Sequence, residues 1–212
     1  MTCLTAYAGR LDSTCSRTEA MSSPFDTLRT LWAVWIALWL LAAAWSARTV
    51  ARQPVGSRLA HIVPVMAGSA MLFFHLGQST PLDVHLFPPS LWIEWAGVGL
   101  TFLGLAYTCW ARIHLGRNWS GSVTLKAGHA LIRSGPYALT RHPIYTGLLL
   151  AVTGTALARD SIAAVAGLTL LVFGFVVKLQ GEERLLTEHF GDAYRAYQAE
   201  VPQLIPGLRP AR

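Results

Sequence analysis

The sequence contains little charge and no pattern of paired cysteines. Charged residues make up 13% of its 212 residues, whereas soluble domains carry roughly a quarter. Its three cysteines, Cys3, Cys15 and Cys109, show no CxxC or other metal-type spacing, so neither a disulfide framework nor a zinc site is predicted. The histidine and glutamate spacings also match no standard set of metal ligands. The scarcity of charge therefore favours a membrane protein, and no metal is expected.

Three other sequence signals are missing. The net charge of +6 is not concentrated in a basic run, which argues against nucleic-acid binding. No short apolar core stands beside a small-residue cleavage site, so residues 1–26 are interpreted as a loose extension rather than a signal peptide, with Met21 as an alternative start. A soluble dinucleotide-binding G-x-G-x-x-G unit between a strand and a helix is absent as well. What remains is a set of apolar segments and one unusual polar stretch.

The apolar residues, 53% of the chain, collect in five runs. A run of ~20 residues is long enough to cross a bilayer as a helix. Three glycines in the third run, Gly97, Gly99 and Gly104, are small residues of the kind that let membrane helices approach closely. We therefore predict an all-α integral membrane protein with five transmembrane helices. The runs cover residues 27–45, 59–76, 91–113, 144–157 and 161–179, so residues 27–113 hold three spans and residues 114–212 hold two spans and an amphipathic tail.

Basic residues set the predicted orientation. The loops after the first, third and fifth runs are basic, whereas those after the second and fourth carry little positive charge. The positive-inside rule then places the polar stretch Arg112–Arg141 and the carboxyl-terminal tail together on the cytoplasmic side. The turn at Arg159 and Asp160 is too short for anything except an antiparallel hairpin. The start of the fourth run, with Tyr145, should therefore lie beside the residues that follow the fifth run, with Glu182.

A mixed polar cluster is expected where these two ends meet. Lys178 and Glu182 are four residues apart and share a helix face, while Glu183 points about 100° away. The groups that face this pair across the hairpin are Arg141, His142 and Tyr145, with Tyr137 and His129 upstream. Cations, a carboxylate, imidazoles and phenols together suit a zwitterionic ligand that carries ring hydroxyls and an amino-acid head.

Each member of the cluster also has an ordinary explanation when taken singly. Arg141 and Lys178 could be snorkelling anchors, and Tyr137 and Tyr145 could belong to an interfacial aromatic belt. Pro143 is a common first residue of a helix. These explanations do not account for so many such groups within eleven residues opposite a Lys–Glu pair. Arg141 is therefore our candidate for orienting an anionic part of a substrate.

Two separated motifs resemble the isoprenylcysteine carboxyl methyltransferase family and the related phospholipid methyltransferases. They are GHALIRSGPYALTRHPIYTG and, after the predicted hairpin, EERLLTEHFGDAYRAYQAEVPQLIP. The resemblance covers residues 117–206, while the first three spans match only as apolar helices. It implies an integral membrane enzyme that uses S-adenosylmethionine and holds this cofactor at the cytoplasmic face with its carboxyl-terminal half.

The resemblance also implies the residues of the site. Lys178 stands where prenylcysteine enzymes have an arginine that contributes to the active site. Because an ammonium lacks the planar bidentate fork of a guanidinium, this departure weakens the case for a prenylcysteine carboxylate as substrate. Ser122 falls where the family places another cofactor contact. The cofactor-binding residues carried over by position are His129, Ala130, Leu131, Ile132, Tyr137, His142, Pro143, Ile144, Tyr145 and Glu182.

The predicted function is methyl transfer from S-adenosylmethionine to a lipidic or small hydrophobic acceptor. The acceptor, a carboxylate, an amine or a thiol, would enter sideways from the bilayer, while the cofactor would enter from water. One alternative is an NADPH-dependent membrane reductase of similar architecture, and the other is a non-catalytic membrane adaptor. The identity of the acceptor and the oligomeric state stay open.

Overall fold

The computed structural model describes residues 23–43, 49–52, 55–74, 82, 84–116, 124–126 and 131–208. Most of the predicted extension lies outside the described residues, as do Ser122, His129 and Ala130. The described residues form six α-helices, which are α1 Pro24–Ala43, α2 Val55–Phe73, α3 Leu91–Leu115, α4 Pro143–Arg159, α5 Ile162–Phe190 and α6 Asp192–Glu200. The predicted helical class is confirmed. Two short strands that the sequence analysis did not predict, β1 Thr49–Arg52 and β2 Thr124–Lys126, pair in an antiparallel ribbon.

The five apolar runs correspond to α1–α5, and the boundaries of α4 and α5 follow from local chemistry. Helix α4 begins at Pro143, whose fixed φ and missing N–H suit the first position of a helix. It ends at Arg159, and the next residue, Asp160, adopts a left-handed conformation with φ 42°. The Ser161 hydroxyl then accepts a hydrogen bond from the Ala164 N–H at 3.2 Å and caps α5. Helix α5 continues beyond the apolar run as far as Phe190, so it carries the polar residues that follow the run.

Glycines let α3 and α4 pack with their backbones in contact. A Cβ at Gly104 would lie 2.5 Å from both the Ala151 nitrogen and the Gly147 oxygen, and a Cβ at Gly97 would lie 2.5 Å from the Gly154 oxygen. The close approach predicted for Gly97 and Gly104 is therefore confirmed. The same prediction is wrong for Gly99, where an added Cβ would have no atom within 4 Å.

Helices α2 and α5 form a second close pair. A Cβ at Gly68 of α2 would lie 2.6 Å from the Gly167 oxygen of α5, and one at Gly174 would lie 2.6 Å from the Val65 side chain. Helix α4 has its fullest contact with α3, and α5 has its fullest contact with α2. Helices α4 and α5 thus form the predicted hairpin, but each is held along its length mainly by another helix.

Indole groups attach α1 to this assembly. The Trp32 Nε1 donates to the Thr155 hydroxyl of α4 at 3.0 Å, and the Trp35 Nε1 donates to the Thr108 hydroxyl of α3 at 2.7 Å. Large apolar side chains on the outer faces of the helices remain exposed, including Leu40, Leu41, Met66, Ile113 and Phe173. Among the described residues, two helices, α1 and α5, are long and apolar enough to cross a membrane. The five-span topology stays a prediction.

The far end of the hairpin, at Asp160, is joined to the loop before α3. The Asp160 carboxylate accepts hydrogen bonds from the backbone N–H groups of Leu86 at 3.3 Å and Phe87 at 3.2 Å. The Ile162 N–H donates to the Val84 oxygen at 3.2 Å. The opposite end of the hairpin carries the candidate site.

Candidate active site

The segment before α4 is shaped by glycine and proline. Gly135 opens a 3-10 turn, Gly135–Ala138, with φ 59°, a conformation that favours glycine. A Cβ at Gly135 would also lie 2.5 Å from the His114 ring of α3, so a larger residue would require this ring to move. Pro136 and Pro143 are both fully buried. This packing fixes the backbone on either side of Arg141 and His142.

The predicted meeting of the two hairpin ends is observed. The Tyr145 hydroxyl of α4 donates a 2.6 Å hydrogen bond to the Glu182 Oε1 of α5. The Lys178 ammonium lies 5.5 Å from the centre of the Tyr145 ring, within cation–π range. The Tyr145 ring also packs edge-to-face against Phe175 in the apolar core. Tyr145, Lys178 and Glu182 therefore form one group at the end of the core.

His142 lies between two adjacent carboxylates. Its Nε2 is 2.6 Å from the Glu183 Oε1, and its Nδ1 is 3.6 Å from the Glu182 Oε2. The imidazole is 5% exposed, while the Glu182 side chain is 20% exposed. The histidine is thus enclosed by the protein, and Glu182 retains access to solvent.

Glu183 is the centre of a network that the sequence analysis missed. Its carboxylate accepts hydrogen bonds from Arg141 Nε at 3.0 Å and Nη2 at 3.1 Å, from the Tyr194 hydroxyl at 2.9 Å and from Gln198 Nε2 at 2.6 Å. Arg141 Nη1 also donates to the backbone oxygen of Val201 at 2.6 Å. The guanidinium of Arg141 is therefore engaged by the protein itself. Its predicted contact with a substrate stays a prediction.

The tail folds back over the start of α4. Gly191, with φ 55°, separates α5 from α6 and turns the chain. Backbone hydrogen bonds then join Arg141 N to Pro202 O at 2.9 Å and His142 N to Gln203 O at 3.1 Å. The Thr146 hydroxyl donates to Leu204 O at 2.7 Å. The predicted amphipathic tail is thus a structural part of the site.

Buried tyrosines hold the tail in place as hydrogen-bond donors. The Tyr197 hydroxyl donates to the Tyr137 backbone oxygen at 2.5 Å. Burial raises the pKa of Tyr197 to about 12. Burial and then the neighbouring Glu183 charge raise the pKa of Tyr194, and burial also raises the pKa of Tyr137. All three phenols therefore stay protonated near neutral pH.

The remaining predicted residues lie around this cluster. Leu131 packs against the cluster of Tyr194, Tyr197 and Val201. Ile132 and Ile144 are half-buried, and Pro143 is buried. Over the described parts of the chain, no group of three or more histidine, cysteine, aspartate or glutamate side chains could hold a metal ion. A pattern that could have pointed to Glu183 is the pair of tyrosines three residues apart after Gly191, because they predict a tail that packs back on the site.

Residues 97–188 match the Isoprenylcysteine carboxyl methyltransferase (ICMT) family. Protein-S-isoprenylcysteine O-methyltransferase B of Arabidopsis thaliana is 30% identical over 54% of this chain and 60% of its own length. A probable protein-S-isoprenylcysteine O-methyltransferase of Oryza sativa subsp. indica is 28% identical over 67% of this chain and 75% of its own. Methanethiol S-methyltransferase of Pseudomonas deceptionensis is 38% identical over 34% of this chain and 27% of its own.

The matched segment includes the elements that build the cluster. It contains α3 from Gly97 onward, α4, and α5 through Glu188, and hence Arg141, His142, Tyr145 and both glutamates. The chain spans only about three fifths of the length of the Arabidopsis relative. The resemblance read from the two motifs is confirmed, and residues 97–188 carry the sequence pattern of the isoprenylcysteine carboxyl methyltransferase family.

Proposed function

We propose that the protein is an integral membrane methyltransferase that uses S-adenosylmethionine. The observation that carries this proposal is the group formed by Tyr145, His142 and Glu182 within the segment that matches the family. Tyr145 and Glu182 come from two helices and meet at the end of an apolar core, and His142 directly precedes the first of these helices. Such a place gives a polar ligand and an apolar acceptor access to the same point.

The chemistry of these residues fits the cofactor. S-adenosylmethionine carries a sulfonium, an α-amino-acid head, a ribose diol and an adenine. A carboxylate has about four lone-pair sites, and Glu182 Oε1 uses one of them for the Tyr145 hydroxyl. Glu182 would therefore accept hydrogen bonds from hydroxyl or amino groups of the cofactor. Backbone groups of Leu131 and Ile132 would hold the adenine edge, and Tyr137 would pack beside it.

The cofactor supplies the methyl group, and the protein supplies position. Methyl transfer needs the nucleophile in line with the methyl carbon, so orientation provides much of the rate. Lys178, close to the Tyr145 ring, would attract an anionic nucleophile to the side of the site that faces the apolar core. The tail that covers the start of α4 would limit the access of water from the cytoplasmic side.

The acceptor proposed is a lipidic or small hydrophobic molecule. The names of the relatives include S-isoprenylcysteine and methanethiol, which carry a carboxylate and a thiol. A carboxylate nucleophile needs no base, whereas a thiol must lose its proton, a step that a histidine or tyrosine could assist. Exposed apolar side chains on the outer faces of the helices support a bilayer location. We infer five spans, three of them in residues 27–113, with the site on the cytoplasmic side.

Binding of S-adenosylhomocysteine to the detergent-solubilised protein tests the proposal. We expect Glu182→Ala and His142→Ala to weaken binding tenfold or more, which is about 1.4 kcal/mol. Glu188→Ala is the matched control, because Glu188 is an exposed carboxylate on the same helix. Calorimetric titration measures all three variants. Equal affinity in wild-type protein and in both site variants would contradict the site assignment.

The two alternatives predict different ligands. An NADPH-dependent reductase would be stabilised against heat by NADPH and not by S-adenosylhomocysteine, and an adaptor would be stabilised by neither. Incubation with methyl-labelled S-adenosylmethionine and a lipid extract, followed by identification of the labelled product, would name the acceptor. A methyltransferase is supported only if a labelled product forms in wild-type protein and is lost in Glu182→Ala.

A further inference from the structure

The two adjacent glutamates of α5 have different surroundings. Glu182 contacts the Tyr145 hydroxyl and faces His142 Nδ1, and its side chain is 20% exposed. Glu183 contacts Arg141, His142, Tyr194 and Gln198, and its side chain is 14% exposed. Within the described part of the chain, five hydrogen bonds reach the Glu183 carboxylate and one reaches the Glu182 carboxylate. Glu182 is thus available to a ligand, whereas Glu183 is occupied by its own chain.

The surroundings of Glu183 indicate that His142 carries a hydrogen on Nε2. The guanidinium of Arg141 donates two hydrogen bonds to the Glu183 carboxylate, which is therefore ionised and can only accept. His142 Nε2 lies 2.6 Å from the same carboxylate, so this nitrogen must carry a hydrogen. The other ring nitrogen, Nδ1, consequently faces Glu182.

Ring orientation matters because an imidazole can rotate by half a turn about its bond to Cβ. That rotation would exchange Nε2 with a carbon at Glu183 and Nδ1 with a carbon at Glu182. We propose that Glu183 is a positioning residue, which fixes His142 so that Nδ1 is held toward the Glu182 carboxylate, the group that meets the ligand group. This inference rests on the proposed function, because the ligand group belongs to S-adenosylmethionine.

Glu183 also helps to dock the tail, so the test must separate docking from ring orientation. Tyr194→Phe and Gln198→Ala each remove one hydrogen bond between α6 and Glu183 and leave the contact with His142. Glu183→Gln keeps the size of the side chain but loses the charge that holds the Nε2 hydrogen. The first two variants are therefore matched controls for the third.

The experiment combines ligand affinity with nitrogen NMR of the imidazole rings. Protein labelled with 15N-histidine gives the protonation of each ring nitrogen, and His142→Gln assigns the signals of His142. In wild-type protein we expect a protonated Nε2 on His142. In Glu183→Gln we expect those signals to move and the affinity for S-adenosylhomocysteine to fall tenfold or more. In Tyr194→Phe and Gln198→Ala the signals should stay, with affinities within about twofold of wild type.

Several outcomes would overturn the positioning role. An unprotonated Nε2 on His142 in wild-type protein would contradict the positioning role even if Glu183→Gln failed to fold. Wild-type affinity in Glu183→Gln would do so as well, and so would an equal loss of affinity in the two docking variants. Wild-type protein that binds no S-adenosylhomocysteine would instead refute the proposed function, and the positioning role with it. The two failures are therefore distinguishable.

Discussion

The two ends of the α4–α5 hairpin both place a carboxylate against a neighbouring segment, and they use it differently. At the far end, the Asp160 carboxylate accepts hydrogen bonds from the backbone N–H groups of Leu86 and Phe87. Its side chain is 13% exposed, and its backbone oxygen lies 3.0 Å from His85 Nδ1. Among the residues that the structure describes, this end connects two loops and brings together no cluster of titratable side chains comparable to the one at the other end.

At the site end, two carboxylates stand side by side. Glu183 accepts hydrogen bonds from the segment before α4 and from α6, just as Asp160 accepts hydrogen bonds from the loop before α3. Glu182 has the Tyr145 hydroxyl on one oxygen and is the more exposed of the two. The comparison suggests that a carboxylate whose partners are all internal is structural, and that a partly occupied one beside it is the group that meets a ligand.

The largest expected effect on stability comes from removing the Glu183 carboxylate. Glu183→Ala would leave the Arg141 guanidinium, whose side chain is 9% exposed, buried without its carboxylate. Removing one partner of a buried pair costs about 3–5 kcal/mol. We therefore expect a loss of about 3 kcal/mol in the free energy of unfolding, measured by denaturant titration in detergent micelles.

Glu182→Ala is the natural comparison for that measurement. Its stability should fall by about 1 kcal/mol, because one hydrogen bond to Tyr145 is lost. Equal losses of stability in the two variants would show that the glutamates do not divide their roles as proposed.

The next largest effect tests the close contact between α3 and α4. Gly104→Ala would press a methyl group against the backbone of α4, where atoms lie 2.5 Å from the new Cβ. Overpacking of this kind costs about 1–3 kcal/mol. Gly99→Ala is the control, since a Cβ there meets open space. Thermal unfolding should show a lower midpoint for Gly104→Ala and no decrease for Gly99→Ala, and a similar decrease in both would contradict the packing described for α3 and α4.

A smaller effect is expected at the far end. Asp160→Ala removes the acceptor of two backbone N–H groups and places alanine at φ 42°. Alanine lacks the short polar side chain that lets aspartate adopt this left-handed conformation, so we expect a loss of about 1 kcal/mol in the free energy of unfolding. Asp160→Asn should lose less, because asparagine tolerates this conformation. Affinity for S-adenosylhomocysteine, measured on the folded fraction, should be unchanged in both variants, and a tenfold loss would show that the two ends are coupled.

The meeting of Tyr145 with Glu182 could be predicted from the sequence because it depends on one short turn. Arg159 and Asp160 force the chain to reverse, and α5, which is longer than α4, then runs back past the start of α4. The continuation of α5 as a helix to Glu182 could also be predicted, because Lys178 and Glu182 are spaced four residues apart. Both features follow from local order along the chain.

The role of Glu183 could not be predicted in the same way because it depends on distant contacts. Gly191 turns the chain, Tyr194 and Tyr197 become buried, and the backbone of the tail then pairs with Arg141 and His142. An angle of about 100° between neighbouring residues on a helix only says that Glu183 points away from Glu182. What lies in that direction is decided by the fold of the tail.

The smallest predicted effect concerns the single hydrogen bond that orients Glu182. Tyr145→Phe keeps the aromatic ring against Phe175 and beneath Lys178 but removes the hydroxyl that donates to Glu182 Oε1. A hydrogen bond contributes about 0.5–1.5 kcal/mol, so affinity for S-adenosylhomocysteine should fall about threefold to tenfold, and stability should fall by about 1 kcal/mol, as in Glu182→Ala. Titration calorimetry of Tyr145→Phe beside Tyr194→Phe makes the comparison within one residue type. The first hydroxyl serves the exposed carboxylate and the second serves the enclosed one, so a larger loss of affinity in Tyr194→Phe would reverse the assignment of the two glutamates.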